Sequence, residues 1–315
     1  MRSASRGFVA ILAILALLSI GAASAVSSGT AHAAGTGTHS QSYSASRGHV
    51  QYMGTTSPSL LPVHSSAISQ RTGTIPLRFV GGQHAAIVSH GAPSAASQKV
   101  SHTGSQLQNF DGVQAGQSAA VSGVDVEPPD EGLGAGNGFV FNLVNLAGII
   151  YHTNGTVAAG PFSLSAFFAE PPAFTTVLIS DPRVYFDPSS NRWFATELEF
   201  NLQTGLESHL DIAVSISGNP TGAYRLYRID TTDPSGFECP CFSDYPILGI
   251  DHANLYISGN EFSISGPAFN GAEIFAISKS QLVAGATTPN FVRFGSLSIA
   301  GTLAYHIQPA ITYGT

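Results

Sequence analysis

A proline-centred segment recurs along the second half of the chain. Ser180-Asp-Pro182-Arg-Val-Tyr-Phe-Asp187, Ser243-Asp-Tyr-Pro246-Ile-Leu-Gly-Ile-Asp251 and His306-Ile-Gln-Pro309-Ala-Ile-Thr-Tyr313 place their prolines 64 and 63 residues apart. A looser member, Pro128-Pro129-Asp130, lies 53 residues before Pro182. Recurrence at a near-constant interval marks a structural unit used several times. The stretches between the motifs read as strands: Leu210, Ile212, Val214 and Ile216 alternate with Asp211, Ala213 and Ser215, the period of a half-buried strand. Phe139–Asn145, Gly148–His152, Tyr224–Ile229 and Ala272–Ile277 are further short apolar runs bounded by turn residues. Only Lys279–Leu282 reads as a helical turn. The expected fold is therefore all-β, and a unit holding about four short strands fits one blade of a β-propeller better than a sandwich. Blades are expected at 126–180, 181–243 and 244–307, with 308–315 opening another. Propellers close with about 4–8 blades, so the reading is an incomplete propeller of about three blades, cut from a longer protein.

Composition places two different segments in front of and within this domain. Only 10% of residues are charged, against about 25% in an ordinary soluble domain, which excludes a coiled coil or a charged disordered chain. Residues 1–110 hold six basic residues and no acidic one, while 111–315 carry a net charge of −13. Arg2 and Arg6 precede an apolar run from Phe8 to Ile20 and a small-residue stretch ending at Ala25, the layout of a secretory signal peptide over 1–25. A second small-residue site, Ala31-His-Ala33, also follows the apolar run. The run is shorter than the roughly 20 residues that span a bilayer, so membrane contact is expected only in transit. Residues 26–110 are rich in Ser, Gly, Thr, Ala and His and read as a disordered export linker. Its seven histidines are scattered singly, without the pairing of a metal site. The expected location is extracellular or at the cell surface.

Glu127-Pro-Pro-Asp-Glu-Gly-Leu-Gly-Ala-Gly-Asn-Gly-Phe-Val-Phe-Asn-Leu-Val-Asn145, followed by Ser180–Asp187, Arg192-Trp193-Phe194 and Asp244-Tyr-Pro246, resembles a group of secreted bacterial proteins with sialidase-like or kelch-like propeller domains. The resemblance spans about residues 125–315 and implies a propeller, with little said about activity, because fold does not imply function. It implies Asp181, Pro182, Asp187, Arg192, Trp193, Asp244 and Pro246 as the recurring blade motif. The match to a sialidase Asp-box fails in detail, since Asp187-Pro-Ser-Ser-Asn-Arg-Trp193 lacks the glycine and has one residue too many.

The residues that could carry chemistry are few. Asp181 and Asp244 open two consecutive units, and a faint likeness to arabinanase-like glycosidases implies a general acid and base there. An inverting pair needs carboxyls about 6.5–9.5 Å apart. The alternative is that each aspartate caps a turn, which recurrence favours. Glu197, Glu199 and Glu207 have no counterparts and are expected on outer strands or loops; Arg225 and Arg228 are expected on an exposed strand face. Cys239 and Cys241 flank Pro240 and read as a local disulfide. No cofactor or metal is assigned; calcium on Asp181, Asp244 or Asp251 is the one ion considered, and no Asp-x-Asp-x-Asp loop is present. Gly132–Gly138 is glycine-rich but lacks the Lys-Ser/Thr of a phosphate loop, and the acidic domain repels nucleic acid. The expected function is a noncatalytic secreted binding, adhesion or cell-surface module whose partner is an extracellular glycan or protein. The alternative is a glycoside hydrolase or sialidase-like enzyme using a carboxylate pair.

Overall fold

The computed structural model describes residues 41–62, 71–74, 108–171, 177–201, 207–264 and 266–312. The expected signal peptide and all but residues 41–62, 71–74 and 108–110 of the expected linker lie outside them. In chain order the strands begin with β1 (Gln41–His49), β2 (Gln51–Thr56) and β3 (Arg71–Thr74). Helix α1 (Ala115–Ser122) follows, then β4 (Val124–Glu127), β5 (Glu131–Gly136), β6 (Phe139–Val144), β7 (Ala147–His152) and β8 (Val157–Ser163). After α2 (Leu164–Phe168) come β9 (Val177–Asp187), β10 (Arg192–Asn201), β11 (Ser208–Ser215) and β12 (Tyr224–Asp230). The last group is β13 (Cys241–Ile250), β14 (Asn254–Ser263), β15 (Phe269–Ser278), α3 (Lys279–Ala284), β16 (Asn290–Ile299) and β17 (Thr302–Leu303).

These strands form three antiparallel sheets. The first is the meander β5-β6-β7-β8, the second runs β2-β12-β11-β10-β9, and the third runs β1-β16-β15-β14-β13 with β17 on β16. β3 and β4 make a separate parallel pair. The first and second sheets share a core of Phe141, Phe162, Phe167, Trp193, Ala213 and Tyr224, among others. The second and third share another, built on Phe194, Ile212, Val214, Ile257, Phe275 and Ile277. The second sheet is thus covered on both faces. Strand β11 is buried along nearly its whole length, the Asp211/Ala213/Ser215 face included, which corrects its reading as half-buried.

The propeller expectation is overturned. The chain is all-β, but its sheets of four to six strands have no closed or propeller arrangement. The third proline motif lies along the third sheet, joined to its first strand by a parallel bridge between Ile250 and Ile311. The physical reason is that a recurring interval fixes the length of each meander, whereas closure depends on the angle at which sheets stack, and the interval carries no information about that. Two further expectations differ from what is seen. β1 and β2 fall in the stretch read as a linker, and extend the outer edges of the third and second sheets by pairing with β16 and β12. Helices α1 and α2 were not foreseen beside α3. Among the described residues no helix is long and apolar enough to cross a membrane.

The glycine-rich β5 has a packing explanation. A Cβ on Gly132 would lie 2.7 Å from the Pro182 carbonyl oxygen, and one on Gly134 would lie 3.1 Å from that of Val184. Glycine at these alternate positions lets β5 lie directly against β9, the contact that sets the first sheet on the second.

Candidate functional site

The first strands of the three sheets meet at one end, and two of them carry a bulge there. In the second sheet Ser180 pairs with Leu198 and Arg183 with Thr196, so Asp181 and Pro182 together face Glu197. In the third, Asp244 pairs with Asn260 and Ile247 with Ser258, so Tyr245 and Pro246 face Gly259. Asp181 and Tyr245 both adopt φ 53°, the left-handed region that two-against-one bulges use. Asp181 is therefore the register equivalent of Tyr245, and Asp244 that of Ser180. The two aspartates read as equivalent in sequence are one position apart in structure, although both come to the same place.

Asp130, the aspartate of the looser motif, joins them from the start of the first sheet. Its backbone N–H donates to Asn145 Oδ1 at 2.9 Å and its Oδ2 accepts from Asn145 Nδ2 at 3.0 Å. Burial, then the charges of Asp244 and Asp130, push the Asp181 carboxyl up to about 7, against the opposing pull of Arg183. Arg183 Nη1 donates to the carbonyls of Glu131 at 2.9 Å and Pro182 at 3.0 Å, and its guanidinium lies 4.8 Å from the centre of the Tyr245 ring. A polar pocket of about 280 Å³ opens beside these groups, lined by Asp130, Glu131, Arg183, Tyr245, His306 and Gln308 among others.

Aromatic rings lead away from the pocket. Tyr245 and His306 are 4.9 Å apart between ring centres, His306 and Tyr305 5.7 Å, and Tyr305 and Phe269 5.5 Å. Tyr305 is 58% exposed and Tyr245 37%. The exposed rings of Tyr245, His306 and Tyr305, with the half-buried Phe269 at the far end, lie beside convergent carboxylates and an arginine and offer stacking surfaces for the C–H faces of a sugar and partners for its hydroxyls.

The other residues singled out in sequence serve the framework. Asp187 closes the β9–β10 hairpin by accepting from the backbone N–H and hydroxyl of Ser189 and of Ser190. Trp193 is fully buried and donates its indole N–H to the Gly218 carbonyl at 3.0 Å. Arg192 Nη1 donates to the Asn191 carbonyl. Cys239 and Cys241 are joined in a disulfide. Asp251 lies away from the pocket, accepting from Ala253 N, Asn254 N and the Tyr256 hydroxyl.

Glu197, Glu199 and Arg228 depart from their expected exposure. Both glutamates are buried on β10, and Arg228 reaches Asp211 at 2.8 Å, Glu199 at 3.3 Å and also Glu170. A second arginine does the same in the third sheet: Arg293 meets Asp233 at 2.8 Å, Glu261 at 2.9 Å and also Glu273. Burial and then Glu273 raise the Glu261 carboxyl to about 8, while hydrogen bonds from Ser235 and the Arg293 charge hold Asp233 down at about 2 despite burial. The signal for these clamps was present in the sequence, since Glu170 and Asp233, Glu199 and Glu261, and Asp211 and Glu273 are 63, 62 and 62 residues apart. Tyr245, Tyr305 and His306 gave no such signal.

Comparison with known proteins adds little. The chain matches no protein-family profile and no curated protein. Among solved structures it is similar to a chain from Bifidobacterium bifidum s17 provisionally assigned as an exo-beta-1,3-galactanase, at 12% identity and a TM-score of 0.22, covering 59% of this chain and 95% of that one. A likeness of that size carries no argument for fold or activity.

Proposed function

We propose that this protein is an exported, noncatalytic binding module that takes an extracellular saccharide chain at the pocket and ring row of the three-sheet junction. The observation that carries this reading is the row Tyr245, His306, Tyr305 and Phe269 running out from a pocket lined by Asp130, Glu131 and Arg183. Successive rings 4.9–5.7 Å apart support contact with more than one sugar unit. Export is supported by the arginine-flanked apolar run ahead of Ala25 and by the Cys239–Cys241 disulfide, a bond that persists in oxidising compartments. A glycan array followed by calorimetry on the best binder tests the reading. Binding that weakens in Tyr245→Ala and Tyr305→Ala supports it; no glycan bound, or binding indifferent to both substitutions, overturns it.

A second reading, glycoside hydrolysis, is favoured by one observation: burial and the neighbouring Asp244 and Asp130 raise the Asp181 carboxyl to about 7, the kind of shift that separates acid and base roles in such chemistry. Its test is a chromogenic glycoside screen, with turnover lost in a folded Asp181→Asn.

A further inference from the structure

The third sheet carries a groove on its outer face, away from the pocket and the ring row. Its inner face packs on the second sheet through Leu255, Ile257, Phe275 and Ile277. Side chains alternate along a strand, so Asn254, Tyr256, Ala276 and Ser278 lie on the outer face. The pairing lines them up in rows. His49 stands across from Asn290 and Ser278 across from Asn254, and the pair Ile277 and Phe291 sets Ser278 beside Asn290. Two residues along, Arg47 stands across from Val292, Val292 from Ala276, and Ala276 from Tyr256. Each row crosses β1, β16, β15 and β14, a width of about 14 Å at the usual strand spacing. The short side chains of Ala276 and Ser278 form the floor of a groove of about 870 Å³, lined also by Arg47, His49, Asn254 and Asn290, a volume ordinary for a ligand site. The ring row lies at the far end of β14, where His306 N donates to Asn260 Oδ1 and Phe269 pairs with Phe262.

The charge of the groove is the reverse of the domain's. Residues 111–315 carry a net charge of −13, and each of their cations donates to a protein oxygen: Arg183 to Glu131, Arg192 to Asn191, Arg225 to Val283, Lys279 to Asp187, and Arg228 and Arg293 in their clamps. Arg47 comes instead from the acid-free first 110 residues and is carried to the acidic domain by the pairing of β1 with β16. It is exposed, and neither its guanidinium nor the Asn290 side-chain amide has a partner among the described residues. No carboxylate is among the described residues that line the groove. The adjacent Asp251 has its oxygens occupied by the N–H groups of Ala253 and Asn254 and by the Tyr256 hydroxyl. We infer that this groove binds a polyuronate, a saccharide chain with a carboxylate on each sugar. Arg47 presents a planar fork that matches a carboxylate. Asn254, Ser278 and Asn290, on three successive strands, present amide and hydroxyl groups to the sugar hydroxyls. A nucleic acid fits less well, because a single free arginine on an acidic domain gives too few phosphate contacts to offset the repulsion.

Affinity electrophoresis of the full chain through gels containing polygalacturonate is the test, with the methyl-esterified polymer as the uncharged control. The parent is expected to be retarded by the charged polymer alone, and less so as salt rises. Arg47→Gln is expected to weaken binding at least about tenfold, the loss of a hydrogen bond to a charged group. Asn290→Ala keeps the charge and is expected to weaken it less; it carries the test if Arg47→Gln does not fold. Tyr305→Ala, in the ring row, is expected to bind polygalacturonate as the parent does. Failure of the parent to bind, equal retardation by the esterified polymer, or unchanged binding in a folded Arg47→Gln overturns the inference. So does equal competition by single-stranded DNA, which would mark a general polyanion surface, or loss in Tyr305→Ala, which would place the polymer at the ring row.

Discussion

Lys279 Nζ lies 3.0 Å from Asp187 Oδ2, and both residues are more than nine-tenths buried. The same ammonium donates to Ser189 Oγ at 3.0 Å and to the Asp251 carbonyl. This contact ties the β9–β10 turn of the second sheet to the start of α3 in the third. Removing one partner leaves the other buried and uncompensated, so Lys279→Met is expected to lower stability by about 3–5 kcal/mol. Urea unfolding measures it, and the double variant with Asp187→Asn is expected to recover part of the loss.

Stability is expected to depend on pH through Asp181 and Glu261. Their folded pKa values are raised from 3.8 to about 7 and from 4.5 to about 8. Between the unfolded and folded values the native chain binds a proton that the unfolded chain has released, so stability falls as pH rises across that window and levels off above it. The Asp181 contribution is on the order of 4 kcal/mol between about pH 4 and 7. Urea midpoints across this range are expected to decline in the parent and to decline less in Asp181→Asn. A parent whose midpoint rises over the same range would count against the buried placement of both groups.

Gly132→Ala and Gly116→Ala are expected to act in opposite directions. A Cβ at position 132 would lie 2.7 Å from the Pro182 carbonyl oxygen and 3.0 Å from Arg183 Cα, backbone atoms that cannot swing aside, and a cost of about 1–3 kcal/mol is expected. At Gly116, in α1, nothing lies within 4 Å of the added atom, and alanine is expected to stabilise by about 0.5–1 kcal/mol. Thermal unfolding of the two variants separates these outcomes.

Tyr305→Ala is expected to weaken saccharide binding by about tenfold, the equivalent of about 1.4 kcal/mol, with little change in melting temperature, because the ring is 58% exposed. Titration calorimetry on the ligand found by array checks the first half and thermal unfolding the second. Phe141→Ala provides the contrast: a fully buried ring in the first core, whose loss is expected to cost about 3–5 kcal/mol.

How much was legible follows from the kind of information each feature needs. Strands β6, β7, β12 and β15 announced themselves by apolar runs between turn residues. β1 and β2 did not, because Gln41–Thr56 is polar and gains its pairing from the outer edges of two sheets formed far along the chain. Asp181 and Asp244 were found by recurrence, but as equivalents: both strands carry the same bulge, and the pairing partners Leu198 and Asn260 show that Asp181 lies within it while Asp244 precedes it. Glu197, Glu199 and Arg228 were misplaced for a related reason. Charged residues on an alternating strand normally face water, and nothing local indicates that a second sheet covers them.

The sequence by itself determined that the chain is all-β, that its strands come in units of near-constant length, and that acidic residues concentrate after residue 110. These follow from local periodicity and counting. The tertiary structure decided that the sheets stack without closing, that β11 is buried on both faces, and that Asp130, Asp181 and Asp244 converge beside Tyr245 and His306. Those outcomes depend on the angle and register at which separate sheets meet, and the side chains that set them are 50 residues or more apart in the chain.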